Sequence, residues 1–324
     1  MASQPPPSLD PQGPRIALVR NPKSHRNKNR EDTPSLPSNV ELVEPGTRAA
    51  LDEALQAFAR GGVEILAISG GDGTIRDVLT RGMAAFGDDW PQVLILPQGK
   101  TNALAVDLGI QQPWELDDAL AAVERERTRV QHPLLIEDLD GNAPPVLGFL
   151  FGAGMFNVAI AAGQTAHRYG AFQGFAVAAT GLFGLFQAML GLGDTPWRRT
   201  WAMRMEADGK PVPMSVHGAP GRRYVAGFTT LRQFPAGIRP FDAIGPSKGI
   251  DFFAIDAPLR RALLKLPRAL TGADGPRLRA LGLHRDTAER CTIELADPYI
   301  LDGETFPAGR YRLSAGPSLR FIVP

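Results

Sequence analysis

A hydrophobic strand that runs straight into a glycine-rich loop, and from there into a helix, constrains this chain more than anything else in it. Residues Glu64–Leu79 read EILAISGGDGTIRDVL. Ile65–Ile68 has the length and make-up of a buried strand, and Ile75, Val78, Leu79 and Met83 follow at helical spacing. Between them stands Ser69-Gly70-Gly71-Asp72-Gly73-Thr74. Glycines in such a turn let the backbone bend tightly and approach a ligand with no Cβ in the way. The following helix offers N–H groups and the positive end of its dipole, which favours phosphate. Asp72 places a carboxylate where phosphates would lie. That is repulsive unless the carboxylate holds magnesium or takes a proton from an attacking hydroxyl, and both readings lead to phosphoryl transfer. The plain alternative is an ordinary glycine-rich turn, since glycine supplies 35 of 324 residues. Composition alone, however, would yield GGDGT in about one such chain in a thousand.

The flanks repeat the alternation of strand and helix. Ile16–Val19 is a short apolar run, followed by a polar, proline-rich loop. Thr47 caps a helical stretch with Ala50, Leu51, Ala54, Leu55 and Phe58 on one face, ended by Gly61-Gly62. Val93–Leu96 reads as another strand before a Pro-Gln-Gly turn, and Asn102–Leu108 and Pro113–Arg125 read as helices. This texture predicts a parallel, layered α/β domain over residues 15–130. Beyond it, β-like runs at Val146–Phe151, Tyr224–Thr229, Ile250–Ile255, Thr292–Leu295 and Tyr311–Leu313 are divided by Gly/Pro-rich turns. They predict an antiparallel β domain over 131–313, with a helical insertion near 171–193. The closing run Leu319–Val323 suits a strand of either domain, and 314–324 is assigned to the first. Residues 1–14 read as a disordered, proline-rich tail.

Composition removes several function classes. The 35 Lys and Arg against 34 Asp and Glu leave a net charge of +1, so there is no basic footprint for nucleic acid. One cysteine, Cys291, allows neither an internal disulfide framework nor a Cys-rich zinc site and suits a reducing compartment. The start has no basic and apolar signal segment. Residues 171–193 carry no charge and are long enough to cross a bilayer. Five glycines, Gln173 and Gln187, and arginines on both flanks favour instead a buried apolar helix or the wall of a pocket for something greasy.

The Ser69–Thr74 loop resembles the signature of the diacylglycerol kinase catalytic domain, shared with sphingosine and ceramide kinases and, more distantly, NAD kinase. Three further segments occur in that family's order. Val19-Arg20-Asn21-Pro22-Lys23-Ser24 resembles its first strand and nucleotide loop, and Leu96–Ala105 (LPQGKTNALA) resembles its Pro-x-Gly-Thr/Ser-x-Asn segment. Ile300-Leu301-Asp302-Gly303-Glu304 resembles its late Asp-Gly-Glu. Gly152-x-Gly154 through Gly170 and the final SLRFIVP are similar to its substrate-side segment and last strand. The resemblance spans roughly residues 15–324. It implies an NAD-kinase-like α/β nucleotide-binding domain followed by a β-sandwich, with the active site in the cleft between them. It also implies ATP and Mg2+ as cofactors. ATP is then expected over Asn21, Pro22, Lys23, Ser24, Thr47, Gly70, Gly71, Gly73 and Thr74, with Gly99, Lys100, Thr101 and Asn102 below. Asp72, Asp302 and Glu304 are the implied catalytic carboxylates. Asp72 is shared between metal and acceptor, and the other two stand on the acceptor side.

Two positions depart from the pattern. Lys100 stands where the family has Thr or Ser; a lysine supplies a compact charge for phosphate, and Thr101 next door supplies a hydroxyl. Asn157 stands where sphingosine kinases carry an acid that meets the substrate amine. A neutral amide there favours a neutral acceptor such as diacylglycerol or ceramide, whereas Asn-Ala-Leu-Ala at 102–105 lies closer to the sphingosine and ceramide side. A lipid acceptor also needs an apolar slot and access to a membrane. The stretch 171–193 is expected to line or lid the slot. Residues 257–270, with Arg260, Arg261, Lys265 and Arg268 among five leucines, read as a short basic amphipathic helix suited to an anionic leaflet, or as an ordinary surface helix.

Other motifs do not hold up. Gly99-Lys100-Thr101 imitates the end of a P-loop but has Leu94 where the first glycine belongs. Gly245-Pro246-Ser247-Lys248-Gly249 matches a nucleophile elbow by letter, yet it leads into a strand rather than a helix. His25, His132, His167, His217 and His284 show no zinc spacing. The expectation is a lipid kinase, cytoplasmic and peripheral to the inner membrane face, of unspecified oligomeric state. A soluble-acceptor kinase of the NAD kinase type, or a relative that binds without catalysis, is the alternative.

Overall fold

The structure, a computed structural model, describes residues 13–24, 36–110, 114–159, 196–245, 247 and 249–324. Two compact units emerge, residues 1–131 with 317–324 and residues 132–316.

The first unit is built on a six-stranded sheet. Its strands in chain order are β1 (Ile16–Arg20), β2 (Val40–Val43), β3 (Ile65–Gly70), β4 (Gln92–Pro97), β5 (Thr128–Gln131) and the closing strand Leu319–Ile322. They lie in the order β2-β1-β3-β4-closing strand-β5, parallel throughout except for β5, which runs antiparallel to the closing strand. Every residue of β3 is buried, as a parallel strand covered on both faces must be, which is why it reads as an unbroken apolar run. The helices are α1 (Arg48–Gly61), α2 (Asp72–Phe86), α3 (Ala103–Asp107) and α4 (Leu116–Glu124). Leu55 and Phe58 of α1 and Ile75, Val78 and Leu79 of α2 are almost completely buried, each contributing about 1.5–3 kcal/mol.

The sequence reading holds for most of these elements, with three local differences. β2 falls within the segment read as loop; four residues beside a proline-rich stretch carry too little pattern to register as a strand. Asn102 is not helical but left-handed (φ 48°), and α3 starts one residue later. α4 starts at Leu116, capped reciprocally by Glu115 and Asp118, a capping box that outcompetes the proline expected to open it. Pro113 itself lies outside the described residues, as do the 171–193 insertion and the tail up to residue 12.

The second unit holds two antiparallel sheets. One orders Lys210–Pro211, Trp201–Ala207, Arg290–Leu295, Gly309–Ala315, Leu134–Asp138 and Val146–Gly148, with Arg222–Arg223 also paired to Trp201–Ala207. The other orders Leu283–Ala288, Ile250–Ile255, Val225–Thr229, Leu150–Gly154, Tyr299–Leu301 and Glu304–Phe306. A single core draws Ile136, Met205, Ile293 and Leu313 from the first sheet and Phe151, Phe228, Phe252 and Tyr299 from the second. At its centre Tyr299 stacks on Phe151 at 4.3 Å and meets Tyr311 edge-on at 4.9 Å. Val225–Thr229 is buried at every position, because its outer face is covered as well, by the helix Arg260–Leu270 through Ala262, Leu263 and Ala269. Among the described residues no helix is long and apolar enough to cross a membrane.

Candidate active site

The strand order of the first unit selects a place for a ligand before any side chain is considered. β1 connects to β2 on one side, while β3 and β4 lie on the other, so the order reverses between β1 and β3. In open parallel sheets the crevice at the carboxyl ends of the strands flanking such a switch is where ligands bind. The register aligns those ends, with Arg20 opposite Ser69 and Gly70 opposite Pro97. Asn21–Ser24, Ser69–Thr74 and Gln98–Asn102 all leave the sheet there.

The three loops are fastened to one another. The Asn21 amide N donates to Ser69 O at 3.0 Å, and Asn21 Nδ2 donates to Thr74 Oγ1 at 2.8 Å. Asn21 Oδ1 accepts from Lys23 N at 3.0 Å, which shapes the turn and leaves Pro22 and Lys23 exposed at its tip. On the other side Gln98 N donates to Gly70 O at 2.8 Å. Asn102 closes its own loop on Gly99, accepting from Gly99 N at 2.9 Å and donating to Gly99 O at 3.0 Å. Gly71 and Gly99 meet backbone to backbone: a Cβ added to Gly99 would stand 2.7 Å from Gly71 Cα. Both must be glycine for the loops to touch. Lys100 and Thr101 project outward and are exposed, and Gly73 lies in the first turn of α2. Thr47 is placed differently from its companions. Its hydroxyl caps α1 by accepting from Ala50 N at 3.1 Å, a contact within its own helix.

Asp72 is the first residue of α2, where an acid suits the helix dipole. The residue is half-buried, but its carboxylate is turned inward. Oδ2 accepts from Ala103 N at 3.2 Å and so caps α3, the task that left-handed Asn102 does not perform. Oδ1 is shielded from solvent and has no hydrogen-bond partner. Burial raises the Asp72 pKa above the usual carboxylate range, and the backbone N–H groups of Ala103, Leu104 and Asn102 offset only part of that. A shielded, half-satisfied carboxylate is repaired by a cation or a proton.

In the second unit Asp302 and Gly303 form a two-residue hairpin turn with φ of 49° and 86°, joining Tyr299–Leu301 to Glu304–Phe306. The Asp302 carboxylate accepts from Phe149 N at 3.1 Å and Leu150 N at 2.9 Å, pinning the break between the strands Val146–Gly148 and Leu150–Gly154. Glu304 opens the second hairpin strand and is exposed. Asn157 Nδ2 donates to Pro298 O, at the start of the same hairpin, and Asn157 Oδ1 is left without a partner. The structure therefore ties Asn157 to the element that carries Asp302 and Glu304.

One feature escaped the sequence reading. A cavity of about 420 Å³ lies on the outer face of the second sheet, walled by Tyr224, Phe253 and Ile255, by Met155 and Phe156, by Phe234 and Phe241, and by Leu263, Leu266 and Leu270 of the helix Arg260–Leu270. The hydroxyl of Tyr224 donates to Trp197 O at 3.0 Å, so the aromatic ring faces the cavity with its polar end satisfied. The 171–193 stretch, expected to line or lid such a slot, lies outside the described residues. The described walls of the cavity come from six separated segments, and no local pattern announces such a set.

Residues 15–133 match the family described as "Diacylglycerol kinase catalytic domain". No curated protein matches the chain. Solved structures similar to it include a diacylglycerol kinase from Bacillus anthracis str. Sterne, at 14% identity and a TM-score of 0.61. Another from that organism, provisionally named a diacylglycerol kinase, has 15% identity and a TM-score of 0.64. Each similarity covers 96% of this chain and 97% of the other, so the two-unit fold is shared along the whole length. The family match thus falls on the α/β unit of this chain, over residues 15–133, while the similarity of fold extends over both units.

Proposed function

We propose that the protein is an ATP-dependent kinase that phosphorylates a hydroxyl group of a membrane lipid, of the diacylglycerol or ceramide/sphingoid type. The observation that carries this reading is the cradle at the switch point, where glycine loops touch at Gly71 and Gly99 and the amino end of α2 opens beside them. The cradle binds the triphosphate through main-chain amides, and Asn21 holds its rim to Thr74. Lys100, exposed on the adjoining loop, supplies a positive charge to phosphate; Lys100→Ala is expected to raise the nucleotide KM, and an unchanged KM removes that role. The Asp72 environment fits magnesium. One carboxylate oxygen lacks a partner, and magnesium is ordinarily held by one or two carboxylates with phosphates and waters completing the set. When bound, the metal would neutralise charge on the phosphates.

On the acceptor side, Asp302 is engaged by the Phe149 and Leu150 amides and holds the hairpin, which leaves exposed Glu304 to take the proton of the acceptor hydroxyl. The apolar cavity supports a lipid rather than a soluble acceptor, since a void of that size and lining suits an acyl chain. Neutral Asn157 favours an acceptor without a cationic amine. The reaction would take place at the cytoplasmic face of the inner membrane, where ATP and lipid meet. Incubation with labelled ATP, magnesium and a panel of diacylglycerol, ceramide, sphingosine and NAD tests it. Label in diacylglycerol or ceramide is expected. Label in NAD alone, or in nothing while ATP still binds, overturns the reading.

A further inference from the structure

The helix Arg260–Leu270 has two faces with different tasks. Ala262, Leu263 and Ala269 are buried, and Leu263, Leu266 and Leu270 form one wall of the apolar cavity. The opposite face carries Arg261, Leu264, Lys265 and Arg268, spaced i, i+3, i+4 and i+7 and therefore aligned in one stripe. All four are exposed, Leu264 at 61%. No acid occurs between Ala257 and Ala273. Arg261, Lys265 and Arg268 have no ion-pair partner among the described residues, in a chain where most buried or half-buried arginines are paired.

Unpaired cations around an outward leucine select a partner that is negatively charged at its surface and hydrocarbon just beneath. An acidic protein surface would satisfy the charges without taking up the leucine. Leu270 adds a spatial argument. It is 36% exposed and also lines the cavity, so the helix that carries the stripe borders both the cavity and the solvent.

We propose that the Arg261–Leu264–Lys265–Arg268 stripe docks the second unit onto a bilayer containing anionic phospholipid, with Leu264 below the headgroups, and that the helix thereby holds the cavity it walls close to the membrane. The docking stands on the stripe alone; delivery of an acyl chain to the cavity rests on the lipid kinase reading. Flotation of the full chain with phosphatidylcholine vesicles, with and without phosphatidylglycerol, tests the docking. Binding is expected only with phosphatidylglycerol and is expected to weaken as salt is raised. The triple variant Arg261→Ala/Lys265→Ala/Arg268→Ala is expected to lose on the order of a hundredfold in partitioning, about fivefold for each cation. Leu264→Ala alone is expected to lose several-fold at unchanged salt dependence. Since all four side chains are exposed, thermal melts should match the wild type. Equal binding to pure phosphatidylcholine, or a folded triple variant that binds as the wild type does, overturns the proposal. A second assay separates it from the kinase reading. The triple variant should phosphorylate a water-dispersed short-chain diacylglycerol at the wild-type rate while losing its rate on vesicle-borne diacylglycerol. A wild type that docks but phosphorylates no lipid sinks the kinase reading and leaves docking intact; one that phosphorylates lipid but ignores anionic vesicles does the reverse.

Discussion

Gly99→Ala addresses the contact on which the proposed nucleotide cradle depends. The added Cβ would lie 2.7 Å from Gly71 Cα and 2.8 Å from Asn102 Oδ1, whereas ordinary contact begins at 3.4 Å. Backbone cannot rotate away as a side chain can, so the two loops must part by about 0.7 Å. That displacement falls on the Gln98 N to Gly70 O bond, now 2.8 Å, and on the reciprocal pair between Asn102 and Gly99. Overpacking costs about 1–3 kcal/mol and each weakened hydrogen bond about 1 kcal/mol, so a loss of about 2–4 kcal/mol is expected. For a unit of this size that lowers the Tm by on the order of 5–15 °C. A shift approaching 1 Å in a phosphate cradle should also cost about a hundredfold in kcat/KM. Gly71→Ala meets the same contact from the other side, at 3.0 Å, and should do less damage. One separation of the loops relieves both clashes, so the double variant should fall short of the summed effects. Gly46→Ala, where nothing lies within 4 Å of the added carbon, serves as control. Differential scanning fluorimetry with a nucleotide titration reads all four proteins. A Gly99→Ala protein that melts and binds nucleotide like the wild type would refute the contact.

Two further outcomes follow from buried chemistry in the second unit. Burial alone would raise the Asp256 pKa, but hydrogen bonds from His284 (2.9 Å) and Ser215 N (2.7 Å) outweigh it and hold the carboxyl below its usual range. Its contribution is therefore present above the ordinary carboxylate pKa and is lost as pH falls through the lowered folded value. Asp256→Asn, which leaves Arg223 buried without its anionic partner, should cost about 3–5 kcal/mol near neutrality, and urea melts should show that gap closing below about pH 4. A gap independent of pH would count against the ion pair as its source. The Cys291 thiol is pushed up to about 12, first by burial and then by the nearby Asp208 charge. Iodoacetamide near pH 8 should leave it untouched until urea unfolds the chain, and labelling of the native protein would contradict this.

What the sequence discloses here depends on how local the cause is. β3 and the first turn of α2 are legible because burial on both faces, the glycine turn and the amphipathic helix all act within sixteen consecutive residues. The Asp302-Gly303 hairpin is legible for the same reason, since two left-handed residues in succession are what Asp-Gly supplies cheaply. The roles of single polar groups are less accessible. That Asp72 caps α3, and that Asp302 pins Phe149 and Leu150, depends on partners 31 and about 150 positions away. The cavity is the extreme case. Phe156, Phe234, Phe253 and Leu266 stand far apart in the sequence, and only the folded sheet shows that they leave a space between them.

The strand Leu319–Ile322 has a consequence for how the chain comes to be folded. It fills the place between β4 and β5, with Phe321 opposite Val93 and Leu319 opposite Gln131. During synthesis the sheet of the first unit must therefore wait, with an open edge along β4, until the whole second unit has left the ribosome. Such long-range pairing is slow, and unpaired edges invite association with other chains. Premature termination anywhere in the second half should thus harm the first half as well, yielding aggregates rather than a free first unit.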